Sequence, residues 1–426
     1  MEFGTSVDRQ LYERWLARLP AGAPLSIYIH VPFCHELCLF CGCHTTVARR
    51  YAPVAAYVGL LEREIGLIAR IIGRRKVNHL HWGGGTPTIL TATDFLRLAA
   101  SLRAHIAAGP IGQTAVEIDP RSLTPDYVSM LRDADVTRVS LGVQDFDDRV
   151  QRSVRRLQSI EQTARAVDWL RTAGMTSINL DLMYGLPYQT IASVAANTQL
   201  ALTLHPDRIA LFGYAHVPWI KRHQRLIPKQ ALPTSTERFV QNTIAADVIV
   251  AAGYQRIGLD HFARPHDPLA QQLRKGKLHR NFQGYTTDDA PILIGFGASA
   301  IGSLPEGYVQ NATRVVDYRE KILAGNLAAI RGRALTNEDR LRATIIERLM
   351  CELRVDLAEI CGAHGVDANH FAAEFRKLND LAEDGIIERV HDKISVPEAA
   401  RPLVRTVCAV FDVFLANNGA RFSQAS

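Results

Sequence analysis

Four of the seven cysteines fall within one short stretch, at Cys34, Cys38, Cys41 and Cys43, while Cys351, Cys361 and Cys408 are scattered. The first three are spaced CxxxCxxC, through Cys34-His35-Glu36-Leu37-Cys38-Leu39-Phe40-Cys41. Clustered thiolates are the usual ligands of iron–sulfur clusters. Three of them on one loop leave one iron of a four-iron cluster without a protein ligand, and a cofactor or substrate can bind there directly. The alternative is a structural zinc site, which wants four closed ligands and would have to recruit Cys43 or His44. CxxxCxxC is an uncommon zinc spacing. A secreted disulfide framework is short and evenly rich in cysteine; a 426-residue chain with this distribution is neither.

Such a loop needs a scaffold. β-rich runs near residues 26–31, 79–82, 115–119, 138–142, 177–181 and 208–214 are each followed by a longer segment of helical periodicity. Tyr57, Leu60, Leu61, Ile65, Ile68 and Ile72 form one helical stripe. Thr91 with Asp94 and Ser159 with Gln162 read as capping boxes, and Thr124 before Pro125 as an N-cap with proline at the first helical position. Strand then helix, repeated six times, implies a parallel sheet covered by helices. A closed or partly closed (β/α) barrel places functional residues at the C-terminal ends of its strands. The cysteine loop lies just beyond the first strand. From about residue 330 the pattern turns helical, at 340–353, 370–383 and 403–417, around a hairpin at 386–396 that turns at His391-Asp392-Lys393. Helices with a small hairpin read as a winged-helix-like appendage, a lid or packing domain rather than a DNA reader.

Hydrophobic residues at 47% and charged residues at 22% describe a globular chain with a real core. No run approaches the roughly 18 apolar residues of a membrane span, and the N-terminus lacks the apolar core of a signal peptide. A cytoplasmic protein with no membrane partner is expected. Lys+Arg at 49 against Asp+Glu at 43 give a net charge of +6 without one long basic run. That excess suits an anionic small molecule as well as nucleic acid, and no nucleic-acid partner is expected.

Other polar residues are ambiguous by themselves. Gly83-Gly84-Gly85-Thr86 follows a strand, where missing Cβ atoms let a ligand approach the backbone; a plain turn would look the same. Glu117 at a strand end serves equally as a helix-cap acceptor. Arg156 stands beside the equally basic Arg155 and reads as a solvated helix residue. Tyr28 and Ile301 read as core. The stretch 261–285 interleaves Arg264, Arg274, Lys275, Lys277 and Arg280 with Phe262, Phe282 and Tyr285, a composition for carboxylates and an apolar macrocycle or for a solvated loop.

Taken together, the motifs say more. CxxxCxxC with Phe40 before the third cysteine sits within YIHVPFCHELCLFCGC (28–43), followed by HWGGGTPT (81–88), GVQDF (142–146), NLDLMYGLP (179–187), DHFARP (260–265) and HRNFQGYTT (279–287). In order, from residue 25 to near the C-terminus, they resemble the oxygen-independent coproporphyrinogen III oxidase family of radical S-adenosylmethionine (SAM) enzymes. The resemblance implies an α/β fold: a partial (β/α)6 radical SAM barrel with a mainly helical, winged-helix-like C-terminal domain. It divides the chain into an N-terminal helix (1–24), a catalytic domain (25–325) and a helical domain (326–426).

The same resemblance implies a [4Fe–4S] cluster on Cys34, Cys38 and Cys41, whose open iron is chelated by SAM, and two SAM molecules in all. Tyr28, Gly84, Glu117 and Ile301 match contacts to the first. Phe40, Gly85, Thr86, Gln144, Arg156, Asp181 and Ala215 match contacts to the second. Tyr28, Glu117, Cys43 and Gln283 are the implied catalytic residues, with Cys43 not required as an iron ligand. The implied reaction is oxidative decarboxylation of two propionates of coproporphyrinogen III to vinyl groups, giving protoporphyrinogen IX in haem biosynthesis. The electron donor would be a flavodoxin or ferredoxin, and the protein a monomer. The other reading of the scaffold is a haem-binding chaperone or a haem-degrading relative; Cys43 and the HRNFQGY motif argue against the chaperone. The family begins with a further segment rich in Arg and Tyr, so this chain is expected to start inside the helix that follows it and to couple SAM cleavage loosely to decarboxylation.

Overall fold

The β-branched and aliphatic runs form parallel strands at every expected place: β1 (Leu25–Val31), β2 (Val77–Gly84), β3 (Gln113–Ile118), β4 (Arg138–Gln144), β5 (Ser177–Tyr184) and β6 (Arg208–Gly213). Between them run α1 (Ala52–Ile72), α2 (Ala92–His105), α3 (Pro125–Asp133), α4 (Ile160–Thr172) and α5 (Ile191–Leu202). The chain returns later with β7 (Ile292–Phe296), β8 (Ile301–Leu304), β9 (Gly307–Asn311), α6 (Val315–Leu323) and β10 (Ala329–Ala334). Strand order is β10-β9-β8-β7-β1-β2-β3-β4-β5-β6. It is parallel from β7 to β6 and antiparallel beyond β7. This is the partial (β/α)6 barrel. The structure, a computed structural model, describes residues 3–415. They form two compact units: residues 3–234 with 288–334, and Ser235–Thr287 with the chain from Leu335 onward.

Side-chain alternation in the strands decides what faces the barrel interior. Val139, Leu141 and Val143 of β4 and Ile178, Leu180, Leu182 and Tyr184 of β5 are buried. The alternate set, Ser140, Gly142, Gln144, Asn179 and Asp181, carries the polar groups. Asp181 is not at the end of its strand, because β5 runs on to Tyr184. The stripe on α1 is buried as expected, together with Val54 and Val58 and one polar residue, Glu64. Trp82 stacks on Phe95 of α2 with ring centroids 4.3 Å apart, fixing that helix on the sheet.

The expected capping boxes are one-sided. Thr91 accepts from Asp94 N, but the Asp94 carboxylate accepts from Tyr51 and pairs with Arg97 instead of returning to the cap. Ser159 accepts from Gln162 N while the Gln162 amide donates to Arg121 O. Thr124 caps α3 alone, as expected. Reciprocal boxes occur at Thr190 with Ser193 and at Thr336 with Asp339.

The second unit is mainly helical. The helices Ser235–Ala251, Asn337–Glu352 and Val404–Phe411 lie in it, with a three-stranded sheet in the order Arg354–Asp356, Lys393–Ser395, Glu388–Val390. Leu341, Ile345, Leu349, Phe371, Leu378, Val404 and Phe411 are its core. The hairpin turn falls at His391, whose φ is +55°. The helix expected at 370–383 begins only at Phe375, after a 3-10 turn (Ala368–Phe371) nucleated by the Asp367 cap. The one expected at 403–417 is observed over Val404–Phe411; residues 416 and 417 lie outside the described residues. Gln283 sits in this unit, at the tip of a hairpin made by His279–Asn281 and Gly284–Thr286. That hairpin is anchored by Tyr285, whose hydroxyl donates to Met350 O at 2.8 Å and accepts from Leu259 N at 2.9 Å. Among the described residues no helix is long and apolar enough to cross a membrane.

Candidate active site

At the C-terminal ends of β2–β5 the first unit holds a cavity. Its walls include Cys34, Cys38, Cys41 and Cys43 from the loop after β1, with Phe40 and Thr45. Gly84, Gly85, Thr86, Glu117, Asp119, Arg121, Ser140, Gly142, Gln144, Arg156 and Asp181 complete it. Twelve of the expected residues are thus brought to one space. Tyr28, Ala215 and Ile301 are not among the residues that line it, and stand on the elements next to it. Tyr28 pairs in register with His81 and with Gly295, and the Ile301 carbonyl packs against Gly295. Ala215 O accepts from Gln224 Nε2, which also donates to Phe40 O.

The loop's sulfurs have polar company. Thr45 Oγ1 lies 3.1 Å from Cys34 Sγ, Thr86 Oγ1 donates to it at 3.5 Å, and Arg156 Nη1 donates to Cys38 Sγ at 3.7 Å. Burial pushes the Cys34 thiol up, and the two hydroxyls pull against that. The hydrogen bond from the Cys43 thiol holds Cys41 well below the usual thiol range, with Lys221 and Arg156 adding positive charge. The same bond pushes Cys43 up.

The glycine run is demanded by crowding. A Cβ on Gly83 would stand 2.6 Å from Glu117 Oε1, and one on Gly85 would stand 2.5 Å from Phe33 O and 2.9 Å from Cys34 Sγ. Gly84 has a φ of +120°. Glu117 accepts from His81 Nε2 and from Gly84 N, both at 3.1 Å. Burial acts to raise its carboxyl; these bonds and the His81 charge outweigh burial and hold it below the usual range. Next to it, His30 Nε2 meets His44 O at 2.9 Å. A carbonyl only accepts, so that nitrogen carries the proton, and burial keeps the ring neutral. Nδ1 is then the acceptor for Tyr28 OH at 3.0 Å.

Across the cavity, Asp181 accepts from Asn179 Nδ2 at 2.7 Å and from Ser140 Oγ at 3.1 Å. Gln144 closes β4 with a φ of +71°, an uncommon conformation for a side-chain-bearing residue and one that clusters at functional sites. Its Oε1 is buried without a hydrogen-bond partner. Arg156 is buried rather than solvated. The helix Asp148–Val154 ends in a left-handed Arg155, which turns Arg156 inward onto Gly142 O (2.6 Å), Gln158 Oε1 and Asp119. Its Nε also lacks a partner. Polar groups left open in a cavity wall are what a bound ligand would satisfy.

Residues 28–201 match the Radical SAM superfamily and residues 335–403 the HemN C-terminal domain. The oxygen-independent coproporphyrinogen III oxidase of Bradyrhizobium diazoefficiens is 50% identical over 97% of this chain and 92% of its own length. That of Escherichia coli K12 is 40% identical over 100% and 93%. The solved structure of the radical SAM enzyme coproporphyrinogen III oxidase from E. coli superposes with a TM-score of 0.93, covering 97% of this chain and 95% of that one. The chain belongs to the oxygen-independent coproporphyrinogen III oxidase family.

A family member of this kind uses an iron–sulfur cluster and SAM, and the cavity fits both. It presents three cysteines of one loop, donors to their sulfurs, and two orphaned polar atoms, Gln144 Oε1 and Arg156 Nε. Among the described residues no three His, Cys, Asp or Glu side chains stand within reach of a single ion. A closed zinc site would need four. Sequence reading missed His30, Thr45, His81, Asp119 and Arg121, and it missed the segment behind the loop. There Lys221 Nζ donates to Cys43 O at 2.9 Å, His223 Nε2 to Cys41 O at 2.8 Å and Gln224 to Phe40 O at 3.1 Å. His30 and His81 lay within the quoted motifs and could have been found there; nothing in the spacing of residues 214–227 pointed to the loop.

Proposed function

We propose that the protein catalyses the oxidative decarboxylation of coproporphyrinogen III to protoporphyrinogen IX in oxygen-independent haem biosynthesis, with a [4Fe–4S] cluster on Cys34, Cys38 and Cys41 and two molecules of SAM. One observation carries the reading: a single cavity gathers the three cysteines with Glu117, Gln144, Arg156 and Asp181. When bound, the reduced cluster and SAM supply a radical able to take a hydrogen atom from a propionate side chain; the propionate then loses CO2 and an electron to become a vinyl group.

The chain's own residues orient and enclose. Glu117, kept ionised by His81 and Gly84 N, takes the first SAM's cationic side together with Tyr28, whose oxygen offers only lone pairs because its proton is committed to His30. Gly84 and Ile301 complete that subsite. Arg156 is an anchor for a carboxylate and Asp181 for an amine or ribose of the second SAM, with Gln144, Phe40, Gly85, Thr86 and Ala215 shaping its bed. Cys43 leaves iron ligation to the other three. Gln283 and the basic, aromatic stretch 261–285 serve the tetrapyrrole. The catalytic domain spans 25–325, flanked by 1–24 and 326–426. The protein works as a cytoplasmic monomer fed by a flavodoxin or ferredoxin; clustered cysteines that hold a metal cluster suit a reducing compartment.

The test is anaerobic reconstitution followed by product analysis with coproporphyrinogen III, SAM and a reductant. Vinyl products with release of 5′-deoxyadenosine and methionine are expected. Cys34→Ala, Cys38→Ala and Cys41→Ala should each abolish the cluster while Cys43→Ala retains most of the iron. S-adenosylhomocysteine as the main product would replace this reading with methyl transfer, and equal iron loss in Cys43→Ala would overturn the ligand set.

A further inference from the structure

The cysteine loop has two sides. Its sulfurs face the cavity, whereas the carbonyls of Phe40, Cys41 and Cys43 point the other way and accept from Gln224, His223 and Lys221. No residue from 216 to 231 is among those lining the cavity. This segment is the outer cover of the loop, one side chain away from it.

That cover is unusual on its solvent side. Trp219, Ile220 and Leu226 are 42%, 63% and 60% exposed, large apolar side chains within eight consecutive positions. Around them Arg222, Arg225 and Lys229 are exposed. Arg225 donates to Pro218 O at 3.2 Å, and none of the three pairs with a carboxylate among the described residues. From Arg208 to Thr236 the chain contains no Asp or Glu at all. An apolar centre with aromatic and aliphatic anchors inside a charged rim is the anatomy of a protein-docking surface. A rim of one sign selects a partner of the other and steers its approach.

We propose that residues 217–229 form the docking surface for an acidic one-electron carrier of the flavodoxin or ferredoxin class. The proposal rests on the reading of the cysteine loop as a cluster site. In the exchange the carrier is oxidised by one electron and the cluster accepts it; no atom is transferred. The topology favours a carrier over the anionic tetrapyrrole here, because the substrate must meet a radical formed inside the cavity. An electron can enter from the loop's outer side, past Lys221 and His223, without crossing the space that SAM and substrate occupy.

The experiment uses the full chain with its cluster reconstituted, and follows cluster bleaching by stopped flow with reduced flavodoxin or with dithionite, in the absence of SAM and tetrapyrrole. Arg222→Glu with Arg225→Glu, and separately Leu226→Asp, should slow reduction by flavodoxin on the order of 10-fold or more at low salt, with the difference shrinking as salt rises. Dithionite rates should stay unchanged. Arg152→Glu, on the other exposed basic rim beside the loop, where His35, Glu36, Arg121 and Arg152 help to surround a second cleft, should leave the flavodoxin rate as it was. Equal flavodoxin rates in wild type and the first variants overturn the proposal, as does a loss confined to the Arg152 variant. Equal losses with both reductants overturn it too, since the residues would then act on the cluster itself. A raised KM for coproporphyrinogen III with an unchanged flavodoxin rate would reassign the surface to the tetrapyrrole. Because reduction is read without substrate, a failure of the decarboxylation reading leaves this result standing, and the converse also holds.

Discussion

Glu64 and Glu117 belong to the same barrel unit, and each accepts from a backbone N–H, Glu117 with one side-chain donor and Glu64 with two. Glu117 lines the cavity, takes a bond from His81, and sits below the usual carboxylate range despite burial. Glu64 lies under the sheet on α1, accepting from Gly297 N (2.7 Å), Asn311 Nδ2 (2.8 Å) and Tyr318 OH (2.8 Å). Burial raises it from 4.5 to about 7, because three neutral donors only partly offset the loss of water. A partner able to carry charge, and an opening toward a polar cavity, decide the outcome. The barrel thus keeps one carboxylate ready for a cationic ligand and uses the other to tie α1, the β7–β8 turn, β9 and α6 together.

If Glu64 is a tie, removing it should have the largest effect of any change outside the cysteines. Glu64→Ala leaves Gly297 N and Tyr318 OH without a partner, at about 1–3 kcal/mol each, takes from Asn311 Nδ2 one of its two acceptors, and opens a cavity besides, so destabilisation on the order of 5 kcal/mol is expected. Domain stabilities are only roughly 5–15 kcal/mol. Urea denaturation of the cluster-free protein measures it; a loss below about 1 kcal/mol would remove Glu64 from the framework.

The opposed shifts also predict pH dependence. The folded state holds the Glu64 proton more tightly than the unfolded state, so between 4.5 and about 7 folding takes up a proton. Stability from this group is complete below 4.5 and falls as pH rises through about 7, by about 3 kcal/mol in total. In Glu64→Gln, unfolding midpoints from pH 5 to 8 should lose that component of their slope. An unchanged slope in the variant would assign it to other groups.

Glu117→Gln should do the reverse: little change in the unfolding midpoint, but 5′-deoxyadenosine release reduced by about 10- to 100-fold, the range expected for a lost charged hydrogen bond of about 1.5–3 kcal/mol. The iron content should be that of wild type. A variant that loses iron as well would make Glu117 part of the loop's support rather than a ligand contact.

The two carboxylates differ in legibility for a physical reason. Glu117 stands at the end of a recognisable strand between recognisable motifs, and Gln144 and Asp181 lie inside two of those motifs. Glu64 is one acidic residue in an apolar helical stripe, and locally it looks like a solvated edge. Its partners, Gly297, Asn311 and Tyr318, are more than two hundred residues away, and only the parallel return of β7 beside β1 brings them together. Arg156 misled on its own merits for a related reason: its burial depends on one left-handed residue, Arg155, and φ is not written in a basic pair. The segment 214–227 was silent because its bonds go to main-chain carbonyls, which every residue has.

The smallest effect separates the donors around Glu64. Tyr318→Phe removes one hydroxyl that stabilises the ionised carboxylate, so the Glu64 carboxyl should rise further and the window of falling stability should extend upward in pH. The expected cost is about 1 kcal/mol for a lost buried hydrogen bond, and its pH dependence is the informative part. At pH 5 the carboxyl is already protonated and needs the hydroxyl least; at pH 8 it is charged and needs it most. Tyr57 offers the control, since its hydroxyl donates to His30 O and accepts from Ala298 N without touching the carboxylate. Tyr57→Phe should therefore cost the same at both pH values. Equal costs at pH 5 and pH 8 for Tyr318→Phe would mean that the hydroxyl supports packing alone, and that Glu64 is held by Gly297 and Asn311.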